Sequence, residues 1–255
     1  MESMARIKQK YLALSSQGGV GKTSVIVNLA LALSNRGVKV GLMDVNFFAP
    51  DIYRMLGLKP GIKGIRDKRL MPVPYSEDLK VASIESLMHD EDETGIWGRE
   101  PSASDIQRYI SSVSWGNLDY LFIDTPSCPG EALRALIRGI PNAKAIIITA
   151  PNKVSRDRAE RMIDFLRKES VQIFGWIENM RGFFCRDCGK AQEMFNTGSS
   201  GRAIFLMDIP FLGRIPIDQY LIECANSGQP FIRRHPRSEV AASFNLIVKA
   251  IVEKE

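Results

Sequence analysis

The sequence predicts an α/β fold: a doubly wound, mostly parallel sheet with helices on both faces, in a single domain spanning residues 1–255. Three observations carry that expectation. Short apolar runs alternate with segments of helical periodicity along the chain, the pattern of a parallel sheet covered on both sides. A glycine-rich stretch, Gln17-Gly18-Gly19-Val20-Gly21-Lys22-Thr23-Ser24, lies between the first apolar run and the first helical pattern. Two of the runs end in an acidic residue, Asp44 and Asp124, and ligands in open α/β sheets bind outside the carboxyl ends of the strands.

The elements follow in order. Tyr11–Ser15 is the first strand. Val25, Ile26, Leu29 and Leu33 then recur at helical spacing, and Gly37 closes that helix where a left-handed cap is wanted. Val38–Asp44 is the second strand. Leu70–Val73 and Leu79–Ala82, separated by Pro74-Tyr75-Ser76, form a short hairpin on the side of the sheet. His89-Asp90-Glu91-Asp92-Glu93 is polar and acidic, a surface loop. Tyr120–Asp124, Ala145–Thr149, Phe174–Asn179 and Phe211–Arg214 complete the strands. Ser238 is the N-cap of a last helix that carries Phe244, Ile247, Val248 and Ile251 on one face.

Composition narrows the class. With 45% hydrophobic residues in 255, the chain can bury a full core. No run of eighteen apolar residues and no signal-like start are present, so a cytoplasmic protein is expected, with no membrane partner. The formal charge of +5 is spread along the chain, and its densest cluster, Arg233-Arg234-His235-Pro236-Arg237, reads as a solvated loop rather than a nucleic-acid surface. Of the four cysteines, two stand three residues apart, which fits a reducing compartment and a metal or redox site.

The glycine-rich stretch has the chemistry of a phosphate-binding loop. Glycines let successive backbone N–H groups close on a polyphosphate, and the following helix aims its positive end at the anion. Lys22 reaches the β- and γ-phosphates and the Thr23 hydroxyl ligates Mg²⁺. Position 16 is serine where the strict pattern has glycine, so the loop is a variant form. Asp124, ending the run Tyr120-Leu121-Phe122-Ile123, reads as the carboxylate that holds Mg²⁺ through water, with helix capping as the competing use of it and of Asp44.

Cys185-Arg186-Asp187-Cys188-Gly189 is a knuckle within an insertion at about 181–196, presenting two thiolates to one metal. Two thiolates are half of the ligands that tetrahedral zinc or a [4Fe–4S] cluster takes. Cys128 and Cys224 are distant and read as buried apolar cysteines. A two-fold dimer completes the count, each subunit giving Cys185 and Cys188 to one site on the axis. Zn²⁺ and an iron–sulfur cluster both remain open, since thiolate sites accept both.

These residues, with Met43-Asp44-Val45-Asn46, Pro50-Asp51-Ile52, Thr149-Ala150-Pro151, Glu178-Asn179-Met180 and Pro210-Phe211-Leu212-Gly213-Arg214-Ile215-Pro216, resemble the Mrp/ApbC-type iron–sulfur carrier ATPases over nearly the whole chain. That family is a branch of the dimerising P-loop NTPase class containing MinD and ParA. The resemblance implies ATP bound at a dimer interface by Gln17–Ser24, with Mg²⁺ ligated by Thr23 and its water shell held by Asp44 and Asp124. It implies an adenine contact from Asn179, and switch segments at Asp44–Ile52 and Asp124–Gly130. It further implies a labile [4Fe–4S] cluster shared through Cys185 and Cys188 and delivered to apo iron–sulfur clients.

Three positions depart from the family pattern. Gln17 stands where a signature lysine reaches across the dimer, Asn46 where a second carboxylate positions the attacking water, and Pro126-Ser127-Cys128-Pro129-Gly130-Glu131 replaces the usual second switch. An amide brings no positive charge to a developing anion and accepts no proton. Lys22, Asp44, Asn46 and Asp124 are the candidate catalytic set, and weak or absent intrinsic hydrolysis is expected, with a heterodimer with a related ATPase as one route to rescue. Two other functions compete: a zinc-stapled, non-catalytic assembly subunit, and a positioning ATPase of the MinD/ParA kind.

Overall fold

The computed structural model describes residues 2–15, 17–47, 49–59, 65–66, 69–88, 101–127, 129–151, 153–184, 191–192 and 208–255. A short helix, α1 (Glu2–Ala5), leads into β1 (Ile7–Ser15), and the long helix α2 (Lys22–Ser34) follows the glycine-rich loop. β2 (Val40–Asp44) and α3 (Ile52–Leu56) come next. Then come four short strands: β3 (Ile65–Arg66), β4 (Arg69–Leu70), β5 (Val73–Ser76) and β6 (Leu79–Ser83). Two helices, α4 (Glu85–Met88) and α5 (Ala103–Ser112), precede β7 (Leu118–Asp124). α6 (Glu131–Gly139), β8 (Lys144–Thr149), α7 (Lys153–Lys168) and β9 (Ile173–Phe184) continue the alternation. β10 (Ala191–Gln192), β11 (Phe211–Ile217), α8 (Gln219–Ser227), α9 (Phe231–Arg234) and α10 (Glu239–Glu253) close the chain.

Nine of these strands make one sheet. Its order is β10-β9-β8-β1-β7-β2-β6-β5, with β11 also paired to β9. All neighbours are parallel except the two edge pairs, β5 on β6 and β10 on β9. The expected doubly wound, mostly parallel sheet is therefore present.

Strand periodicity explains the two layers. In β1, Tyr11 and Ala13 face one apolar cluster, and Leu12 and Leu14 face the other. The first cluster is closed by α2, α3, α9 and α10 through residues such as Leu29, Tyr53, Phe231 and Phe244. The second is closed by α5, α6 and α7 through Ile106, Leu133 and Met162. Residues buried from both sides are why the strands read as continuous apolar runs. No helix among the described residues is long and apolar enough to cross a membrane.

The hairpin differs from its expected form in two ways. It turns at Glu77-Asp78, not at Pro74-Tyr75-Ser76: Pro74 lies within β5 and pairs with Lys80. Proline is tolerated there because β5 is an edge strand whose other side needs no donor. Nor is the hairpin beside the sheet, since β6 runs parallel to β2 from Val40↔Leu79 to Asp44↔Ser83 and so belongs to it. Gly37 does adopt positive φ, but α2 ends earlier, at Ser34, with Asn35 as its cap. Ser238 caps α10 as expected, its side chain accepting from the Ala241 N–H at 3.1 Å, and Phe244, Ile247, Val248 and Ile251 are buried. The acidic stretch His89–Glu93 lies outside the described residues.

Candidate functional site

Three strand ends meet at one edge of the sheet. Register places Ala13 of β1 beside Asp124 of β7, and Asp124 beside Asp44 of β2. The loop between β1 and α2 therefore arches over two carboxylates. Ser15 Oγ donates to the Gln17 carbonyl at 3.0 Å, turning the chain as it leaves the strand. Gly19 and Gly21 both sit at φ 78°, in the left-handed region. Gly21 is also the N-cap of α2 and offers no side chain to it. A Cβ at Gly21 would also meet the Asn179 side-chain amide, which would have to give up its present position. The first N–H groups of a thirteen-residue helix are thus left without a capping side chain at the point where an anion would dock.

Lys22 and Thr23 both turn onto Asp124. Lys22 Nζ pairs with Asp124 Oδ1, and Thr23 Oγ1 donates to Oδ2 at 2.5 Å. Lys22 and Asp124 are buried. The hydroxyl of Thr23 and the carboxylate of Asp124 are hard oxygen donors in mutual contact beside the loop, which fits Mg²⁺. Gln17 and Ser24 are half-buried, Gly18 is exposed, and Val20 is buried.

Asp44 behaves differently. Its carboxylate accepts the backbone N–H groups of Asn46 (3.0 Å), Asp51 (3.1 Å) and Ile52 (3.2 Å), so it caps α3 and folds the segment that follows β2. These contacts are the ones the capping alternative for Asp44 describes. Burial, and after it the neighbouring Asp124 charge, pushes the Asp44 carboxyl well above the ordinary carboxylate range. The N–H donors and Lys22 oppose that shift. Asn46 Nδ2 donates to the Ala49 carbonyl at 2.9 Å, which folds its amide onto its own loop.

Asn179 enters from β9. It is buried, and its Nδ2 donates to the Val20 carbonyl at 2.8 Å. The next residues bend sharply: Met180 has φ 62° and Gly182 φ 66°. Glu178, buried just before them, receives Arg181 Nη1 at 3.4 Å and Arg214 Nε at 3.3 Å. Sequence reasoning singled out Asn179 but not its contact with the loop, nor the Glu178 ion pairs. The signal available was an acidic-amide pair closing the apolar run of β9, which the structure continues to Phe184.

Cys185, Cys188 and Cys128 lie outside the described residues, as does Ser16. The residues flanking the cysteine pair are described: Phe184 of β9 stands antiparallel to Ala191 of β10, and Phe183 to Gln192. β9 runs parallel to β8 and β1, so its last residue, Phe184, lies at the same end of the sheet as the phosphate loop. Cys224 is a buried free thiol whose pKa burial raises, in keeping with a packing role.

A parallel sheet whose first strand feeds a glycine loop and a Lys-Thr helix start, with an aspartate on the neighbouring strand, defines a P-loop NTPase of the MinD/ParA class. The chain belongs to the ParA-type family described as NUBPL iron-transfer P-loop NTPase, which it matches over residues 6–252. It is 37% identical over 254 residues to an iron-sulfur cluster carrier protein of Methanocaldococcus jannaschii, covering 99% of this chain and 87% of that protein. It is 32% identical over 256 residues to the human cytosolic Fe-S cluster assembly factor NUBP2, covering 98% and 94%. Among solved structures it is similar to a nucleotide-binding protein of Archaeoglobus fulgidus in complex with ADP (TM-score 0.79, 29% identity, 95% and 94% covered). The MinD cell division protein of Aquifex aeolicus shares the fold (TM-score 0.68, 19% identity, 97% and 98% covered).

Proposed function

We propose that this protein is an ATP-binding carrier of iron–sulfur clusters, holding a [4Fe–4S] cluster as cargo between two subunits and passing it to apo-proteins. Family membership supports the cargo. The single observation that ties cargo to nucleotide is the Asn179–Val20 hydrogen bond: the strand that precedes the cysteine pair in sequence touches the phosphate loop just before its bend.

In this reading the loop Gln17–Ser24 wraps the polyphosphate, Lys22 leaves Asp124 for the β/γ-oxygens, and Asn179 faces the adenine. Mg²⁺, held by Thr23 and Asp124, would neutralise phosphate charge. Asp44 keeps the first switch folded. Cys185 and Cys188 of each of two copies, or of this chain and a related ATPase, hold the cluster.

Intrinsic hydrolysis is weak in this proposal because Gln17 brings no cation to the γ-phosphate and the Asn46 amide cannot take a proton. One missing preorganised donor lowers turnover by roughly 10²–10³. Steady-state turnover at saturating Mg-ATP tests this, and an ordinary enzyme rate in the isolated protein would sink it. Restoring the lysine and carboxylate together (Gln17→Lys with Asn46→Asp) raises the rate if the reading holds.

Anaerobic reconstitution with iron and sulfide tests the cargo. A broad charge-transfer absorption that disappears in Cys185→Ala/Cys188→Ala, together with activation of an apo-protein, is the expected result. Colourless zinc binding alone would favour the zinc-stapled assembly subunit instead. The MinD/ParA-like positioning role has only the shared fold behind it.

A further inference from the structure

The opposite end of the sheet, far from the phosphate loop, carries a second feature of distinct chemistry. At the amino ends of β1, β6 and β7 a cavity of about 280 Å³ is lined by Arg6, Arg69, Lys80, Ser114, Trp115 and Gly116, with Met71 at its edge. Three of these side chains are cationic and none is a carboxylate. Among the described residues no ion pair engages Arg6, Arg69 or Lys80, whereas nearby Lys8 is neutralised by Asp119 at 2.8 Å. Lys80 is half-buried and held in place, its Nζ donating to the Trp115 carbonyl at 3.2 Å. The turn that carries this carbonyl is stiff on both sides: Trp115 is fully buried, Gly116 is left-handed at φ 72°, and Ser114 N–H donates to Leu70 O at 2.9 Å.

Three like charges around one concavity repel one another unless an anion sits between them. Solvent-exposed cations usually scatter or pair. Here two exposed arginines, whose planar forks suit oxyanions, line the same cavity as a lysine held by a backbone carbonyl, with Ser114 beside them. The volume leaves room for a phosphate and a small organic body, and the Met71 thioether gives that body an apolar neighbour.

We propose that this cavity binds the dianionic phosphate of a small phosphorylated metabolite. The site stands on its own residues and not on the nucleotide or cluster reading, so either can fail without the other.

The test uses the full chain with its phosphate loop saturated by Mg-ADP, titrated with glycerol 3-phosphate. The probe is followed by the indole N–H resonance of Trp115, assigned by Trp115→Phe, and by calorimetry. The expected result is a saturable shift that is unaltered in Lys8→Ala. In Arg69→Ala and in Lys80→Gln it weakens by about tenfold or more each, for the loss of one charge-assisted contact. Thermal unfolding confirms that these variants retain the fold. Absence of saturation, reproduction of the shift by sodium chloride at equal ionic strength, or undiminished binding in the Arg69→Ala/Lys80→Gln double variant would each overturn the proposal.

Discussion

Asp44 and Asp124 end adjacent parallel strands, stand directly opposite one another, and are both fully buried, yet they use their charge in different ways. Asp44 commits its carboxylate to three backbone N–H groups within its own loop. Asp124 commits its own to two side chains of another element, Lys22 and Thr23. Backbone donors are fixed by the fold, whereas side-chain donors can swing away when a better partner arrives. The pair therefore separates an acid that builds the site from an acid positioned to exchange partners within it.

The largest expected effect is on Lys22. Lys22→Ala removes the proposed phosphate contact and leaves Asp124 as an uncompensated buried charge, which costs about 3–5 kcal/mol. Calorimetry is expected to show nucleotide binding lost, and chemical denaturation a matching fall in stability. Asp124→Asn sharpens the contrast: it frees Lys22, so Mg²⁺-free ADP binds more tightly than to the parent while the added affinity from Mg²⁺ disappears. Equal loss with and without Mg²⁺ would show that Asp124 builds the loop instead of exchanging partners.

Asp44→Asn is next. It leaves one acceptor oxygen for three N–H groups and sets an NH₂ donor where the other stood, and a stability loss of about 2 kcal/mol is expected, with little change in Mg²⁺-free ADP affinity. Its pH dependence has a definite sign. The Asp44 carboxyl is raised in the folded protein, so its stabilising share is complete below the unfolded carboxylate value of about 4 and is lost as pH rises through the folded value. The amide of the variant cannot titrate, so the gap between parent and variant narrows from acid to neutral pH in denaturation curves measured at several pH values. A gap that widens would mean that the N–H donors outweigh burial.

Gly21→Ala is expected to cost about 1–2 kcal/mol for the left-handed backbone alone, plus the clash with Asn179. The smallest effect is Asn179→Ala. It removes one hydrogen bond to Val20, worth about 1 kcal/mol, and relieves part of the Gly21→Ala penalty in the double variant, a coupling that a double-mutant cycle reads directly.

Much of the fold is legible in the sequence. Six strands, the helix after the loop and the Ser238 cap come from local rules: apolar runs, periodicity and short-range hydrogen bonding. The places that are not legible involve partners distant in sequence. Pro74 resembles a turn residue because proline usually marks one, and only its edge position in the assembled sheet makes it a strand residue. β6 resembles a peripheral strand because nothing local distinguishes an edge hairpin from a strand that joins β2.

The same division holds for the site. The glycines and Lys22-Thr23 mark a phosphate loop from sequence alone, because that chemistry needs particular residue types at fixed spacing along one stretch of chain. Which acid caps and which pairs, and that Asn179 braces the loop from 159 residues away, depend on the order in which the strands lie side by side. Strand order is set by packing over the whole core, and no local pattern of residues encodes it.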